Sequence, residues 1–208
     1  MGVKTKLVRF TTVAAIAIGV VAALPATAGA VIVEDAPSCE PQPTTKAFAQ
    51  WGDGRDYMLA PGGSFEDGAA GWQLKGATVV SGNESFYVGG RSDSKSLRLD
   101  GGETATSPEI CVGLEHPTIR LFTRNNRLLL SALSVEVIVE TSVGLKVPVP
   151  IGVVLPHNPW KPSPSYLVVA NLLPLLPDDY TPVAFRFRAI GGGSWWIDDF
   201  YVDPSRRS

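Results

Sequence analysis

The sequence predicts an all-β, antiparallel fold, a sandwich or a barrel. Three observations carry this. Apolar and polar residues alternate with period two over short runs. The runs are separated by clusters of Gly, Pro, Asn and Asp, and helical periodicity is sustained nowhere. The chain has 208 residues, 45 % hydrophobic and 18 % charged, with 21 Gly and 17 Pro. That composition excludes disorder and supplies the core of one domain.

Residues 1–28 are set apart. Lys4, Lys6 and Arg9 precede an uncharged apolar run from Phe10 to Leu24 that ends in small residues, the pattern of a secretory signal peptide, with cleavage after Ala28 or Ala30. The run is 15 residues long, short of the about 20 that a membrane-spanning helix needs. No later stretch approaches that length, so no membrane insertion is expected after signal cleavage. Cleavage leaves 15 basic side chains against 20 acidic ones, a net charge of minus five. Nucleic acid and anionic lipid are poor partners for such a chain, because both require a basic face.

Residues 29–60 read as an extended amino-terminal arm. Cys39 lies among Pro37, Pro41 and Pro43, which exclude a helix. The chain's two cysteines, Cys39 and Cys111, both fall in the exported part, where thiols are normally oxidised, so one disulfide tethering the arm is expected. It would enclose 71 residues and contribute roughly 4 kcal/mol through loop closure.

The body, residues 61–205, reads as strands in sequence. Ser96 to Asp100 turns Leu97 and Leu99 to one face, and Thr118 to Arg124 sets Ile119 and Leu121 opposite Arg120 and Arg124. Val135, Val137 and Val139 alternate along the first strand of a hairpin that turns at Ser142-Val143-Gly144. Leu145, Val147, Val149 and Ile151 line its return, and Pro148 and Pro150, which cannot donate ladder hydrogen bonds, put that return strand at a sheet edge. A second hairpin is expected where Val183, Phe185 and Phe187 lead through Gly191-Gly192-Gly193-Ser194 into Trp195 to Val202. Between Pro156 and Pro182 the proline-rich chain is irregular, with one short strand at Tyr166 to Ala170.

Two strings carry a resemblance. Gly62-Gly63-Ser64-Phe65-Glu66-Asp67-Gly68, followed by Gly71-Trp72, and the terminal Ile197-Asp198-Asp199-Phe200 resemble the first and last strands of jelly-roll carbohydrate-binding modules of the galactose-binding-domain-like type. With its arm and two cysteines the chain is more similar to secreted actinobacterial proteins than to an enzyme-attached module. The resemblance implies a jelly-roll β-sandwich over residues 61–205, Trp72 in the core, and a structural calcium between the first and last strands, held by Glu66 with Asp198 or Asp199. Counted back from Phe200 and Val202, Asp198 would share the inward face with Trp196, where a carboxylate needs a partner. The alternative is that Asp198 and Asp199 are exposed at a strand end or neutralised by Arg186 or Arg188.

Sugar-binding modules stack aromatic rings on pyranose faces. The candidates here are Trp51, Tyr87, Trp160, Tyr166 and one of the pair Trp195 and Trp196, with Trp195 carried forward. Catalysis lacks parts: there is no Gly-x-Ser-x-Gly elbow, and His116 and His157 sit beside prolines without a second ligand-spaced histidine. The expectation is a secreted, non-catalytic module for a carbohydrate or another cell-surface component. The alternative is a structural or protein-interaction domain with no sugar site.

Overall fold

The computed structural model describes residue 2 and residues 43–113, 117–126, 129–140, 144–168 and 180–203. The signal sequence, Cys39, His116 and the Ser142-Val143 turn lie outside the described residues, as do Val169 and Ala170 of the strand expected at Tyr166 to Ala170.

Thirteen strands follow one another, with one turn of 3-10 helix at Ala49–Trp51 and no α-helix among the described residues. They are β1 (Met58–Leu59), β2 (Gln73–Lys75), β3 (Thr78–Ser81), β4 (Lys95–Asp100), β5 (Thr104–Thr106), β6 (Ile110–Gly113) and β7 (Thr118–Asn125). Then come β8 (Ser131–Glu140), β9 (Lys146–Val154), β10 (Lys161–Pro162), β11 (Tyr166–Leu167), β12 (Tyr180–Gly191) and β13 (Ser194–Asp203). One sheet runs β10-β7-β13-β4-β3, with β1 on β13 and β11 on β7; the other runs β2-β5-β12-β8-β9, with β6 on β12. The paired strands are antiparallel, and the two sheets enclose a single apolar core.

The expected hairpin of β8 and β9 forms. Val135, Val137 and Val139 face the core, Pro148 pairs with Ile138, Pro150 with Glu136, and β9 lies at the sheet margin where proline costs no ladder bond. The second expected hairpin does not form. β12 pairs with β5, β6 and β8, whereas β13 pairs with β4, β7 and β1, so Gly191 and Gly193, both at positive φ, carry the chain from one sheet to the other. Glycine flanked by alternating apolar runs serves a ladder turn and a sheet-to-sheet corner equally well. Here both edges of β13 are taken by β4 and β7, which excludes β12. The apolar faces of β12 and β13 therefore meet across the core: Phe200 packs at 5.4 Å from Phe185 and 5.1 Å from Phe187.

β13 also departs from strict alternation. Its register with β7 slips between Asp198 and Tyr201, and Asp199 adopts φ 45°, so one extra residue is inserted. Trp195 and Ile197 face the core before this bulge, and Phe200 and Val202 face it afterwards. Counting back from Phe200 thus gives the wrong face: Trp195 is inside and Trp196 outside.

The Gly62–Gly68 string is a series of turns rather than a strand; Phe65 and Ala69 take positive φ there. The strand that joins the carboxy-terminal one is β1, just upstream. The two ends of the resemblance nevertheless meet, since the Phe200 amide donates to Gly63 O at 3.0 Å and the Ala60 amide to Phe200 O at 2.9 Å. A Cβ on Gly63 would lie 2.9 Å from Phe200 O, so only glycine admits this approach. Trp72 is a core residue as expected, its Nε1 donating to Pro61 O at 2.9 Å.

The outward face of β7 is not left to solvent either. Thr45 pairs with Tyr57, and the segment between them covers Phe122 with Phe48 and Tyr57. Arg120 lies beneath it, stacked 4.3 Å from the Phe48 ring, donating to Asp53 Oδ2 at 2.9 Å and twice to Ser163 O. A guanidinium buried this way is tolerable only because carboxylate and carbonyl together satisfy it.

Candidate functional site

The bulge places two carboxyl groups side by side at zero exposure, Asp198 and Asp199, under the loop that joins β3 to β4. Asp198 accepts the Asp199 amide at 2.9 Å and the Glu84 amide at 2.8 Å. Glu84, itself fully buried, turns back on its own loop and accepts the Phe86 and Val88 amides. Asp199 Oδ2 accepts the Gly89 amide at 2.9 Å, and Glu66 accepts the Ser94 and Lys95 amides at 2.8 and 2.6 Å. Residues 84–95 thus hang on four carboxylates. The charge is poorly balanced: Lys95 Nζ reaches the Glu66 backbone oxygen, and Arg186, one of the expected neutralising residues, pairs with Glu136 on the other sheet.

Burial is the main reason the Asp198 carboxyl is pushed up to about 9, with the neighbouring Asp199 charge next. Asp199 is pushed up to about 7 by burial, against the Gly89 amide, with further help from the charges of Glu84, Asp93 and Glu66. Burial likewise raises Glu84 and Asp93. The expectation of exposed strand-end carboxylates is therefore corrected.

Among the described residues no three Asp, Glu, His or Cys side chains stand close enough to hold a metal ion between them. Asp198 spends both oxygens on backbone amides, and Glu66 spends its own on the Ser94 and Lys95 amides and the Ser94 hydroxyl. Asp199 Oδ1, however, is buried without a hydrogen-bond partner. A Cβ on Gly89 would lie 2.7 Å from that atom and 2.6 Å from Asp93 Oδ2, so the two carboxylates approach one point from two sides. A free carboxylate oxygen amid uncompensated negative charge is donor chemistry that fits a hard cation.

The loop held by these acids carries Phe86 onto the outer face of the larger sheet, 5.7 Å from Phe122, and leaves the adjacent Tyr87 exposed. Trp51 packs edge-on to Phe86 at 5.0 Å and lies 5.3 Å from Phe122, above the enclosed cluster of Phe48, Tyr57 and Tyr201. Beside it runs a row fixed by strand register, in which Trp196 pairs with Arg98 on β4 and with Arg124 on β7. The Arg98 guanidinium lies 5.7 Å from the Trp196 ring; that of Arg124 lies 4.4 Å from Trp196 and 5.2 Å from Trp160.

Of the five rings expected to meet a sugar, three are enclosed. Trp195 has no exposure and donates Nε1 to Ser131 Oγ, for it stands on the inward side of the bulge. Trp160, at 7 %, is capped by Arg124 and packs in the outer cluster. Tyr166, at 8 %, donates to Val153 O and lies against Gly152, where an added Cβ would clash with its ring. Trp51 is half-buried and Tyr87 is 51 % exposed, so these two stand open as expected. The residues missed are Phe86, 39 % exposed, with Trp196, Arg98 and Arg124. Ile119 and Leu121 facing inward already implied that Arg124 faces outward; Trp196 required knowledge of the bulge. His157 is structural, its ring nitrogens lying at hydrogen-bonding distance from Thr123 and Leu155 O.

Comparison with known proteins adds the fold. No family model and no curated protein matches the chain. Among solved structures, the tandem CBM22-1–CBM22-2 domain of Paenibacillus barcinonensis Xyn10C matches with a TM-score of 0.50 at 12 % identity, over 74 % of this chain and 46 % of that one. The CBM22-1–GH10 modules of Clostridium thermocellum xylanase 10B, complexed with xylohexaose, match with a TM-score of 0.50 at 12 % identity, over 69 % of this chain and 28 % of that one. The fold is that of carbohydrate-binding modules. The chain spans less than half the length of these two proteins, and at such identity the likeness concerns architecture alone.

The acid cluster makes stability depend on pH. Asp198 and Asp199 bind protons more tightly folded than unfolded, so the stability they confer is complete below the free carboxyl range and is lost as pH rises through about 7 and then about 9. In chelator, the melting temperature should fall between about pH 5 and about pH 9. Asp199→Asn, which keeps an acceptor for Gly89 without the charge, should flatten the lower part of that fall. A melting temperature that rises over this range would contradict the assignment.

Proposed function

We propose that this protein is a secreted, non-catalytic carbohydrate-binding domain whose glycan lies on the outer face of the larger sheet, over Trp51, Phe86 and Tyr87. The observation that supports it is the open aromatic surface here, held by a loop strung on buried carboxylates. Aromatic faces backed by a rigid sheet are what pyranose rings stack on, and the neighbouring row of Trp196 with Arg98 and Arg124 supplies polar edges. That the CBM22-1–GH10 modules of the xylanase, which share this architecture in part, are complexed with xylohexaose adds support. The signal-like residues 1–28 support secretion, and a sequence without a Gly-x-Ser-x-Gly elbow supports a non-catalytic role. Affinity electrophoresis of the mature protein against plant, fungal and bacterial polysaccharides should find at least one that retards it. Trp51→Ala should weaken that binding about tenfold, or about 1.4 kcal/mol. Mobility unchanged by every polysaccharide would overturn the reading.

The second reading, a protein-interaction domain, is favoured by one observation. Leu129 and Leu130, beside the start of β8, are 89 % and 87 % exposed, and Leu155 is 73 % exposed. Silence across the polysaccharides would favour it.

The domain also takes calcium in this proposal, with Asp199 and Asp93 as the side chains that would hold the ion and Glu66 fixing the loop from its other end. Its chemistry would be charge neutralisation, relieving the repulsion among the buried acids. Calcium should raise the melting temperature, by the equivalent of about 2.7 kcal/mol at a hundredfold excess over its dissociation constant, and chelator should reverse this. Magnesium should substitute poorly and Asp199→Asn should abolish the response; no shift with calcium in the wild type would remove the metal from the proposal.

A Cys39–Cys111 disulfide tethering the arm completes it, supported by the absence of free cysteines among the described residues. Intact mass should rise by two hydrogens on reduction. Two alkylatable thiols before reduction would exclude the bond.

A further inference from the structure

We propose that the glycan bound on this face is an acidic polysaccharide, and that Arg124 reads its carboxylate; the inference rests on the glycan reading above and names the ligand class. The three guanidiniums of the outer face differ in what satisfies them. Arg98 holds Asp100 through two nitrogens, at 3.1 and 2.9 Å. Arg120 is paired with Asp53 and Ser163 O. Arg124 has neither: its Nε is buried without a hydrogen-bond partner, and burial alone lowers its pKa, with no neighbouring carboxylate contributing.

The indoles of Trp196 and Trp160 lie against this guanidinium at 4.4 and 5.2 Å. Ring faces stabilise the cation but accept none of its in-plane N–H groups. With Nε enclosed, the edge left to a ligand is the pair of terminal nitrogens, which make no hydrogen bond or ion pair among the described residues, and a carboxylate matches that pair with two parallel hydrogen bonds. A uronic acid carries such a group on a pyranose ring, so one sugar can stack on the Trp51 and Phe86 surface while a neighbour, or the same ring, presents its carboxylate to Arg124. A neutral sugar leaves the charge unmatched. On the other sheet Arg186 is already bound to Glu136.

The test uses the mature protein and matched pairs of soluble polysaccharides that differ in the acid group: polygalacturonate against galactan, glucuronan against glucan, polymannuronate against mannan, and dextran sulfate against dextran. At least one uronate should bind about tenfold more tightly than its neutral partner, weaken with added salt, and shift tryptophan emission through the rings that flank Arg124. Arg124→Gln should bring the ratio of acidic to neutral affinity close to one, and Arg124→Lys, which keeps the charge without the fork, should give an intermediate ratio. Melting curves of both variants serve to establish that the fold is retained. Equal binding of acidic and neutral members would overturn the acid preference while leaving the glycan reading intact. Binding to dextran sulfate with none to any uronate would replace carboxylate by sulfate and overturn it too. No binding to any of the eight would overturn the acid preference, and silence across the wider set of polysaccharides would overturn the glycan reading with it.

Discussion

One inserted residue in the last strand governs the rest. Because alternation in a strand has period two, a single bulge exchanges the two faces on either side of it. Trp195 and Ile197 enter the core from one half of β13, Phe200 and Val202 from the other, and the residues at the discontinuity, Asp198 and Asp199, are left belonging to neither regular face. Covered by the loop from β3 to β4, they bond its amides at Glu84 and Gly89. The loop's course is thus set by the bulge, and its course sets where Phe86 and Tyr87 stand.

This arrangement is costly where it is useful. Four buried or half-buried carboxylates around one short loop repel one another, and the free oxygen of Asp199 has no donor. Strain of this kind persists where something else relieves it, a proton or a cation. The aromatic surface and the acid cluster are consequently two sides of one device: the cluster fixes the backbone, and the backbone fixes the rings. Elsewhere on the same sheet face the charges are matched, Arg120 by Asp53 and Arg98 by Asp100, which is why the unmatched Arg124 stands out.

The strands were legible because their periodicity is local. β4, β7, β8 and β9 fall where alternation places them, and prolines marked β9 as an edge. What the sequence could not convey was which sheet a strand joins. Gly191-Gly192-Gly193 reads the same for a hairpin as for a corner, and the choice depends on β4 and β7, each far away in the chain. The exposed rings were half legible. Trp51 and Tyr87 were found by type, whereas Trp195 in place of Trp196 followed from counting through a bulge that has no signature beyond two adjacent aspartates. Trp160 and Tyr166 lie in proline-rich connections that look like surface, and Gly152 and Arg124 are what bring their rings down.

The position of β13 in its sheet also bears on how the chain can assemble. The strand that stands between β4 and β7 follows both of them in the chain, and it also completes the pairing of β1. Until it arrives, β3 can pair with β4, and β10 and β11 with β7, but nothing joins these two halves of the larger sheet. Such topology has high contact order, so closure of the loop from β4 to β13 must precede its reward, and folding of the larger sheet is slow and waits for β13.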